Sequence, residues 1–143
     1  MSELAALINA FFEAVSFDSG TPRYERLHEL FIADGKLIKN STEVPEISSI
    51  DEFIAPRREL VASGRLASFR EVETAELTEV FGQVAHRFST YAKSGVLDGE
   101  PFEGRGVIST QFIKTPAGWR IASMAWDDER PGLALPERYA PER

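Results

Sequence analysis

Residues 104–129, GRGVISTQFIKTPAGWRIASMAWDDE, decide the fold, because they form the pattern of two long β-strands joined by a tight turn. Apolar and polar side chains alternate along both halves, and Pro116 and Ala117 lie at the centre of the turn. Three helical segments precede this hairpin. This order of elements, with the helices first and the long strands last, predicts an α+β domain. In it, a curved antiparallel sheet holds three helices in its concave face.

The composition is that of one globular domain. The chain has 143 residues, of which 43% are hydrophobic and 27% are charged, and this is enough to bury a core. We therefore predict a single domain over residues 1–143. The proline-rich segment from about residue 130 is expected to be an extended arm that lies on the body of the domain or on a partner.

Charge and residue content argue against several kinds of partner. A formal net charge of -7 disfavours binding to nucleic-acid phosphates. The N-terminal segment has no basic leader and its apolar residues are periodic, so we expect no signal peptide, no membrane span and a cytoplasmic location. The chain has no Cys and two His that form no ligand motif, so neither a metal nor a cofactor is predicted.

The first half of the chain is predicted to be mainly helical. Apolar residues recur at helical spacing over residues 4–15, which predicts an amphipathic helix. Thr21 and Pro22 predict the start of a short second helix that continues through Phe31. A short strand is expected over residues 35–39.

A loop over residues 40–48 leads to the third predicted helix. Ser49 and Glu52 match a capping box at its start. Pro56 removes a backbone donor, which predicts a kink or a restart of the helix. Arg57 lies on the apolar side of this helix, so its guanidinium either reaches the surface or faces a cavity as a cation.

Strand registers follow from the turns. A turn at Gly82 and Gln83 places Glu79 opposite His86 and Thr74 opposite Tyr91. The turn at Pro116 and Ala117 sets the register of the last hairpin. Its predicted partners are Phe112 and Ile121, Ile108 and Ala125, Gly106 and Asp127, Val107 and Trp126, and Arg105 and Asp128.

Both faces of the last hairpin are substantially apolar, whereas a sheet with one solvated face alternates cleanly. The second face must therefore be covered, either by more of the same chain or by another copy. Since two-fold dimers are the commonest soluble oligomers, we predict a homodimer through the sheet face that carries Val107, Met124 and Trp126.

The order of elements, the GWRI exit from the last turn and the Trp-Asp-Asp-Glu ending resemble the nuclear transport factor 2-like superfamily, in particular its bacterial SnoaL-like members. The likeness extends over nearly the whole chain. Its most specific parts are Phe69, Glu71 and Glu73 in FREVE, Gly82, Ala85, Ser89 and Tyr91 in FGQVAHRFSTY, and the final hairpin. This resemblance implies a cone-shaped fold with a pocket for a small apolar molecule between helices and sheet.

Candidate catalytic residues are taken from the polar groups expected in that pocket. His86, beside Glu79, is a workable general base, although a structural His–Glu pair explains the same pattern. Asp127 is the second candidate base, on the face of Ile121, and a solvated acid at the end of the sheet is its alternative.

Candidate ligand-binding residues complete the predicted site. Glu71 and Glu73 are expected to share a face with Glu79 and either diverge into water or share the cation of Arg57. Tyr91 is predicted to orient a substrate oxygen or to close the sheet edge. Gln111 is a further expected hydrogen-bonding residue.

Two kinds of function fit these residues. The first is a cofactor-independent dehydratase, isomerase or cyclase that moves a proton on a small apolar substrate. The second is a non-catalytic ligand-binding or homodimeric association module. The superfamily contains both kinds of protein, so the fold alone does not select between them.

Overall fold

A computed structural model describes residues 2–139 as three helices and one open six-stranded sheet. The helices are α1 (Glu3–Val15), α2 (Leu27–Leu30), which follows a 3-10 turn at Tyr24–Arg26, and α3 (Ile50–Ala62). The strands are β1 (Phe31–Lys39), β2 (Glu46–Ser48), β3 (Leu66–Phe81), β4 (Val84–Leu97), β5 (Glu100–Thr115) and β6 (Gly118–Asp128). A second 3-10 turn spans Glu137–Tyr139. No helix in the described range is long and apolar enough to cross a membrane.

The predicted α+β fold is confirmed, with one difference in strand direction. The strand order is β2-β1-β6-β5-β4-β3, and every neighbouring pair is antiparallel except β1 and β6, which are parallel. The sheet is therefore mixed rather than wholly antiparallel. The parallel pair arises because α3 and the long strands separate β1 from β6 in the chain.

The helices cover one face of the sheet, which we call the inner face; the opposite face is the outer face. The apolar stripe of α1 lies in the core, where the rings of Phe11 and Phe12 meet edge to face at 5.5 Å. On the sheet side, Phe112, Ile121 and Met124 are fully buried. Burial of this apolar surface is the main force that holds helices and sheet together.

The start of α3 agrees with the sequence, and one of the two effects predicted for Pro56 is absent. Both bonds of the predicted capping box form: the Glu52 backbone N–H donates to Ser49 Oγ at 3.1 Å, and the Ser49 N–H donates to Glu52 Oε1 at 2.9 Å. The helix runs without interruption through Pro56, so the predicted restart is wrong. Pro56 and Glu52 are exposed, so water reaches the Glu52 carbonyl that lost its donor.

Two boundaries near β1 also differ from the prediction. The second helix ends at Leu30, because Phe31 is buried and pairs with Ile121 at the start of β1. The predicted loop over residues 40–48 contains the short strand β2, which pairs with the end of β1. In both cases, pairing with a distant part of the chain decides the local structure.

The register of the β3–β4 hairpin is confirmed near its turn and shifts beyond Ala75. Glu79 pairs with His86 as predicted, but Tyr91 pairs with Glu73 instead of Thr74. Thr74 lies in a β-bulge, which adds one residue to β3 and moves every earlier side chain to the other face. Glu73 and Glu71 therefore lie on the inner face, opposite to Glu79.

A second bulge, at Ala122, changes the faces of the last hairpin. Phe112 pairs with Ile121 as predicted, whereas Ile108 pairs with Trp126 and Gly106 pairs with Asp128. The predicted pairs beyond Phe112 are therefore wrong by one residue. Consequently, Trp126 and Asp128 lie on the inner face, and Asp127 lies on the outer face.

The hydroxyl group of Thr110 is buried without a hydrogen-bond partner among the described residues. A buried, unpaired polar group costs about 1–3 kcal/mol, so Thr110→Val should raise the free energy of unfolding by about 1 kcal/mol. Thr90 is the matched control, because it is equally buried but its hydroxyl bonds to Thr74 Oγ1 at 2.8 Å. Urea denaturation should show Thr90→Val destabilised; equal effects of the two substitutions would contradict this assignment.

Candidate functional site

Five polar side chains converge on the inner face, from the first half of β3, the second half of β4, the last residue of β6 and the helix α3. They are Glu71 on β3, Tyr91 and Lys93 on β4, Asp128 on β6, and Arg57 on α3; we call them the inner-face cluster. The register brings the strand residues together, because Glu71 pairs with Lys93, and Gly106 lies between Tyr91 and Asp128. Arg57 is close enough for its charge to act on that of Glu71.

Tyr91, Lys93 and Asp128 form a hydrogen-bonded group. The buried Tyr91 phenol donates to Asp128 Oδ1, and Lys93 Nζ donates to the same oxygen at 2.9 Å. Burial raises the pKa of Tyr91 well above the ordinary value, and so does the Asp128 carboxylate that accepts the hydrogen bond of the phenol. Tyr91 is therefore a protonated phenol whose oxygen is fixed in position.

Glu71 is the carboxyl group of the cluster without a hydrogen-bond partner among the described side chains. Its backbone is fixed, because the Glu71 N–H donates to Ser16 Oγ at 3.0 Å, and Phe17 pairs with Phe69 through two backbone bonds of 2.7 and 3.0 Å. Burial raises the pKa of Glu71 from 4.5 to about 7; Lys93 and Arg57 lower it, and Asp128 raises it. At neutral pH, this carboxyl group both accepts and donates protons.

Gly106 provides the space that this group needs. A Cβ atom at this position would collide with the hydroxyl oxygen of Tyr91 and with the backbone oxygen of Asp127. The sequence motif GRG therefore marks a close approach of side chain and backbone at Gly106. Gly104, two residues earlier, is less restricted, because its Cβ would meet the flexible Lys93 side chain at 3.2 Å.

Glu73 belongs to a different group of polar residues from the one predicted. Its carboxylate accepts two hydrogen bonds from Arg87, at 2.9 and 2.7 Å, and one from Ser89 Oγ at 2.6 Å. Arg87, not Arg57, is therefore its cation. The predicted ion pair of Arg57 with Glu73 or Glu71 is absent among the described residues, although Arg57 acts electrostatically on Glu71.

The remaining predicted site residues lie on the outer face. His86 contacts Glu79 at 2.7 Å, and both side chains are more than half exposed; Gln111 is their neighbour on β5. Asp127 bonds to Arg130 at 2.5 Å, which lowers the pKa of Asp127. The predicted position of Asp127 on the inner face is wrong because of the bulge at Ala122; Asp127 instead lines a cleft between the outer face and the C-terminal arm, with Val107 and Leu133. The catalytic roles of His86 and Asp127 stay predictions. His86 lies apart from the inner-face cluster, whereas the Asp127 backbone oxygen accepts a hydrogen bond from the Tyr91 hydroxyl group at 3.2 Å and its carboxylate accepts one from the Asp128 N–H at 2.8 Å.

The three residues predicted to form the homodimer surface do not lie on one face of the sheet in the structure. Met124 is buried in the core, and the Trp126 ring packs edge to face on Phe53 at 5.9 Å, so only Val107 of the three lies on the outer face. The homodimer itself stays a prediction. The C-terminal arm covers part of the outer face, since Tyr139 packs on Phe88 with ring centroids 5.5 Å apart.

Comparison with solved structures agrees with this topology. An NTF2-like superfamily protein from Salmonella enterica serovar Typhimurium has a TM-score of 0.73 and 16% identity, covering 94% of each chain. An NTF2-like protein with a cystatin-like fold from Novosphingobium aromaticivorans has a TM-score of 0.68 and 20% identity, covering 96% of this chain and 84% of the other. The chain has the nuclear transport factor 2-like fold. No protein-family model and no curated protein matches the sequence.

One further structure with this fold is named as an enzyme. It is a hexachlorocyclohexane dehydrochlorinase, LinA-type3, from Novosphingobium barchaimii, with a TM-score of 0.70 and 12% identity, covering 89% of this chain and 84% of the other. At such identities the likeness concerns the nuclear transport factor 2-like fold alone.

Sequence reasoning found three members of the inner-face cluster and missed two. Arg57, Glu71 and Tyr91 were predicted as ligand-binding residues, and the structure brings them together. Asp128 was missed because one bulge reversed its face. Lys93 follows Tyr91 at the two-residue spacing of one strand face, which was a usable signal.

Proposed function

We propose that this protein binds a small molecule at the inner-face cluster and catalyses proton transfer on it without a cofactor. The observation that carries the proposal is the partly buried Glu71 carboxyl group, which lacks a hydrogen-bonded partner in the described chain and has a pKa of about 7. A general base is most effective when its pKa lies near the working pH. Glu71 would take a carbon-bound proton and return it to a leaving group or to another carbon.

The neighbouring groups have roles that suit this reaction. Tyr91 and Lys93 hold the Asp128 carboxylate between them, so the position of the phenol oxygen is fixed before a ligand arrives. Proton transfer by Glu71 suits the dehydratase, isomerase or cyclase chemistry predicted from the sequence. A dehydrochlorinase of the same fold supports small-molecule chemistry on this scaffold.

Proton exchange in D₂O tests the proposal directly. A panel of small carbonyl compounds is incubated with the protein, and deuterium incorporation at carbon is followed by NMR. Glu71→Gln should reduce the exchange rate by about 10²-fold or more, which is the usual contribution of a general base. Glu79→Gln on the exposed outer face is the control and should leave the rate unchanged. Binding of these compounds without exchange would favour the non-catalytic ligand-binding module.

The raised pKa of Glu71 also predicts a pH dependence of stability. In the unfolded chain, Glu71 ionises near 4.5, and in the folded protein near 7, so the folded state binds the extra proton between these values. The contribution of Glu71 to the free energy of unfolding should therefore fall as the pH rises from 4.5 to 7. Glu71→Gln removes this contribution and should be about 3 kcal/mol more stable than wild type at pH 8.

Thermal or urea unfolding at pH 4.5 and pH 8 measures this difference. Both proteins carry the same remaining charges, including Lys93, Arg57 and Asp128, so their difference isolates Glu71. The two stabilities should nearly coincide at pH 4.5. A constant difference at all pH values would mean that Glu71 ionises normally, and the proposed base would lose its physical basis.

A further inference from the structure

Arg57 is a partly buried cation without an acidic partner. Its guanidinium carbon lies 3.6 Å from the centroid of the Phe53 ring, and Nη1 donates to the Phe53 carbonyl oxygen at 2.9 Å. No carboxylate within residues 2–139 is at ion-pair distance from it. Burial disfavours the charged form of this group and lowers the pKa of Arg57. A cation in such a place is normally paired.

The stacking on Phe53 fixes the plane of the guanidinium. A guanidinium has five N–H donors, and the Phe53 carbonyl uses one Nη1 donor. Arg57 therefore presents an oriented fork with most of its donors free of protein acceptors. Its nearest charged neighbours, Glu46 and Glu71, act on it only through space.

Tyr24 supplies a second unpartnered polar group at the same place. The residue is buried, with 2% of its surface exposed, and its hydroxyl oxygen, which has no hydrogen-bond partner among the described residues, is not fully enclosed by the protein. The Tyr24–Arg26 turn lies against α3, where Arg58 Nη2 donates to Glu25 Oε2 at 3.4 Å, and the charges of Arg57 and Tyr24 act on each other. Burial raises the pKa of Tyr24, so the hydroxyl group keeps its proton and is a hydrogen-bond donor.

The chemistry of these donors selects the ligand. A planar fork of N–H groups and one adjacent O–H group match the two oxygens of a carboxylate. A phosphate dianion needs more positive charge than one free guanidinium supplies; Lys93 is engaged by Asp128, and Arg58 by Glu25 at 3.4 Å. A singly charged organic acid is therefore the better match.

We infer that Arg57 and Tyr24 form a carboxylate-binding subsite, so that the molecule acted on at the inner-face cluster is a small organic acid. This inference rests on the proposed function for the link to Glu71. The carboxylate would be held by α3 and by the Tyr24–Arg26 turn, while the rest of the ligand extends toward the sheet.

Paired ligands test the subsite on the full chain. Monocarboxylic acids of four to ten carbons, each with its primary amide as the matched neutral analogue, are titrated by NMR or calorimetry. Acids should bind wild type at least about tenfold more tightly than their amides, as expected for hydrogen bonds to a charged group. Equal affinity for acid and amide would overturn the inference.

Single substitutions test whether Arg57 and Tyr24 cause the preference for acids over amides. Arg57→Gln should remove the preference for acids, Arg57→Lys should keep part of it, and Tyr24→Phe should weaken acid binding severalfold. The matched control is Arg58→Gln, an exposed neighbour on the same helix, which should leave the preference unchanged. Arg57→Lys keeps the charge and the stem, so it provides the test if Arg57→Gln does not fold. A preference that survives in both Arg57 variants would contradict the assignment.

The outcomes separate this inference from the proposed function. Glu71→Gln should still prefer acids over amides, because the subsite does not include Glu71. An Arg57-dependent preference without proton exchange supports the subsite and rejects the catalytic proposal. Exchange that depends on Glu71 but is equal for acids and amides rejects the subsite alone.

Discussion

Replacing Glu73 by Gln should lower the free energy of unfolding by about 3–5 kcal/mol, because it leaves a buried guanidinium without its counter-charge. The Arg87 side chain is 9% exposed and the Glu73 side chain 13% exposed, and two hydrogen bonds of 2.7 and 2.9 Å join them. Ser89 bonds to the same carboxylate, and Thr78 accepts a further bond from Arg87 at 3.0 Å. Glu76, at 3.4 Å from Arg87, is more exposed and replaces little of the lost charge.

The same strand contains a matched control for this substitution. Glu79 also pairs with a residue of β4, His86, at 2.7 Å, but on the outer face, where their side chains are 67% and 60% exposed. Exposed ion pairs contribute about 0–1 kcal/mol, so Glu79→Gln should change stability little. Urea denaturation at neutral pH compares the two variants. Similar small losses at both positions would show that the Glu73–Arg87 pair is hydrated like a surface pair.

A double substitution separates the charge effect from the packing effect. Replacing Arg87 by Met together with Glu73→Gln removes both charges and should recover part of the stability lost in Glu73→Gln alone. Such a recovery of stability would identify the unpaired Arg87 guanidinium as the main cause of the loss in Glu73→Gln. Further loss in the double variant would instead assign the stabilisation to the aliphatic stem and hydrogen bonds of Arg87.

Much of the fold was predictable because residues that are neighbours in the sequence determine the helix start, the helical stripe and the hairpin turns. The capping box at Ser49 and Glu52, the helical stripe over residues 4–15 and the two hairpin turns each depend on neighbouring residues. Each one was confirmed. The parallel pairing of β1 with β6 depends on residues far apart in the chain, so no local sequence pattern predicts it.

The candidate site was less predictable, because a β-bulge in each of two strands changed the register. The bulges at Thr74 and Ala122 each insert one residue into a strand, and one residue reverses the face of every side chain beyond it. The alternating pattern was compatible with both registers, because both faces of these strands carry apolar residues. Asp127 and Asp128 exchanged their predicted positions as a result. The position of Arg57 on α3 does not depend on any strand register, and its charge acts on Glu71, although the predicted ion pair does not form.

Gly106→Ala is expected to have the second large effect, on stability and on the inner-face cluster together. The added methyl group overlaps the Tyr91 hydroxyl oxygen and the Asp127 carbonyl oxygen, so either the side chain or strand β6 must move. Overpacking of this kind costs about 1–3 kcal/mol and more where backbone is involved, so we expect a loss of about 3 kcal/mol. Movement of Tyr91 also breaks its bond to Asp128.

Gly104→Ala is the matched control, since it makes the same change on the same strand face, two residues away. Its methyl group meets the flexible Lys93 side chain at 3.2 Å, and neither glycine has a positive φ, so backbone strain does not distinguish the two sites. Denaturation should show Gly104→Ala within about 1 kcal/mol of wild type, since the stiffer unfolded chain offsets a small contact cost. Proton exchange should be lost in Gly106→Ala and retained in Gly104→Ala. If both variants kept exchange, the fixed position of the Tyr91 phenol would be unnecessary for the reaction, and Glu71 would act without it.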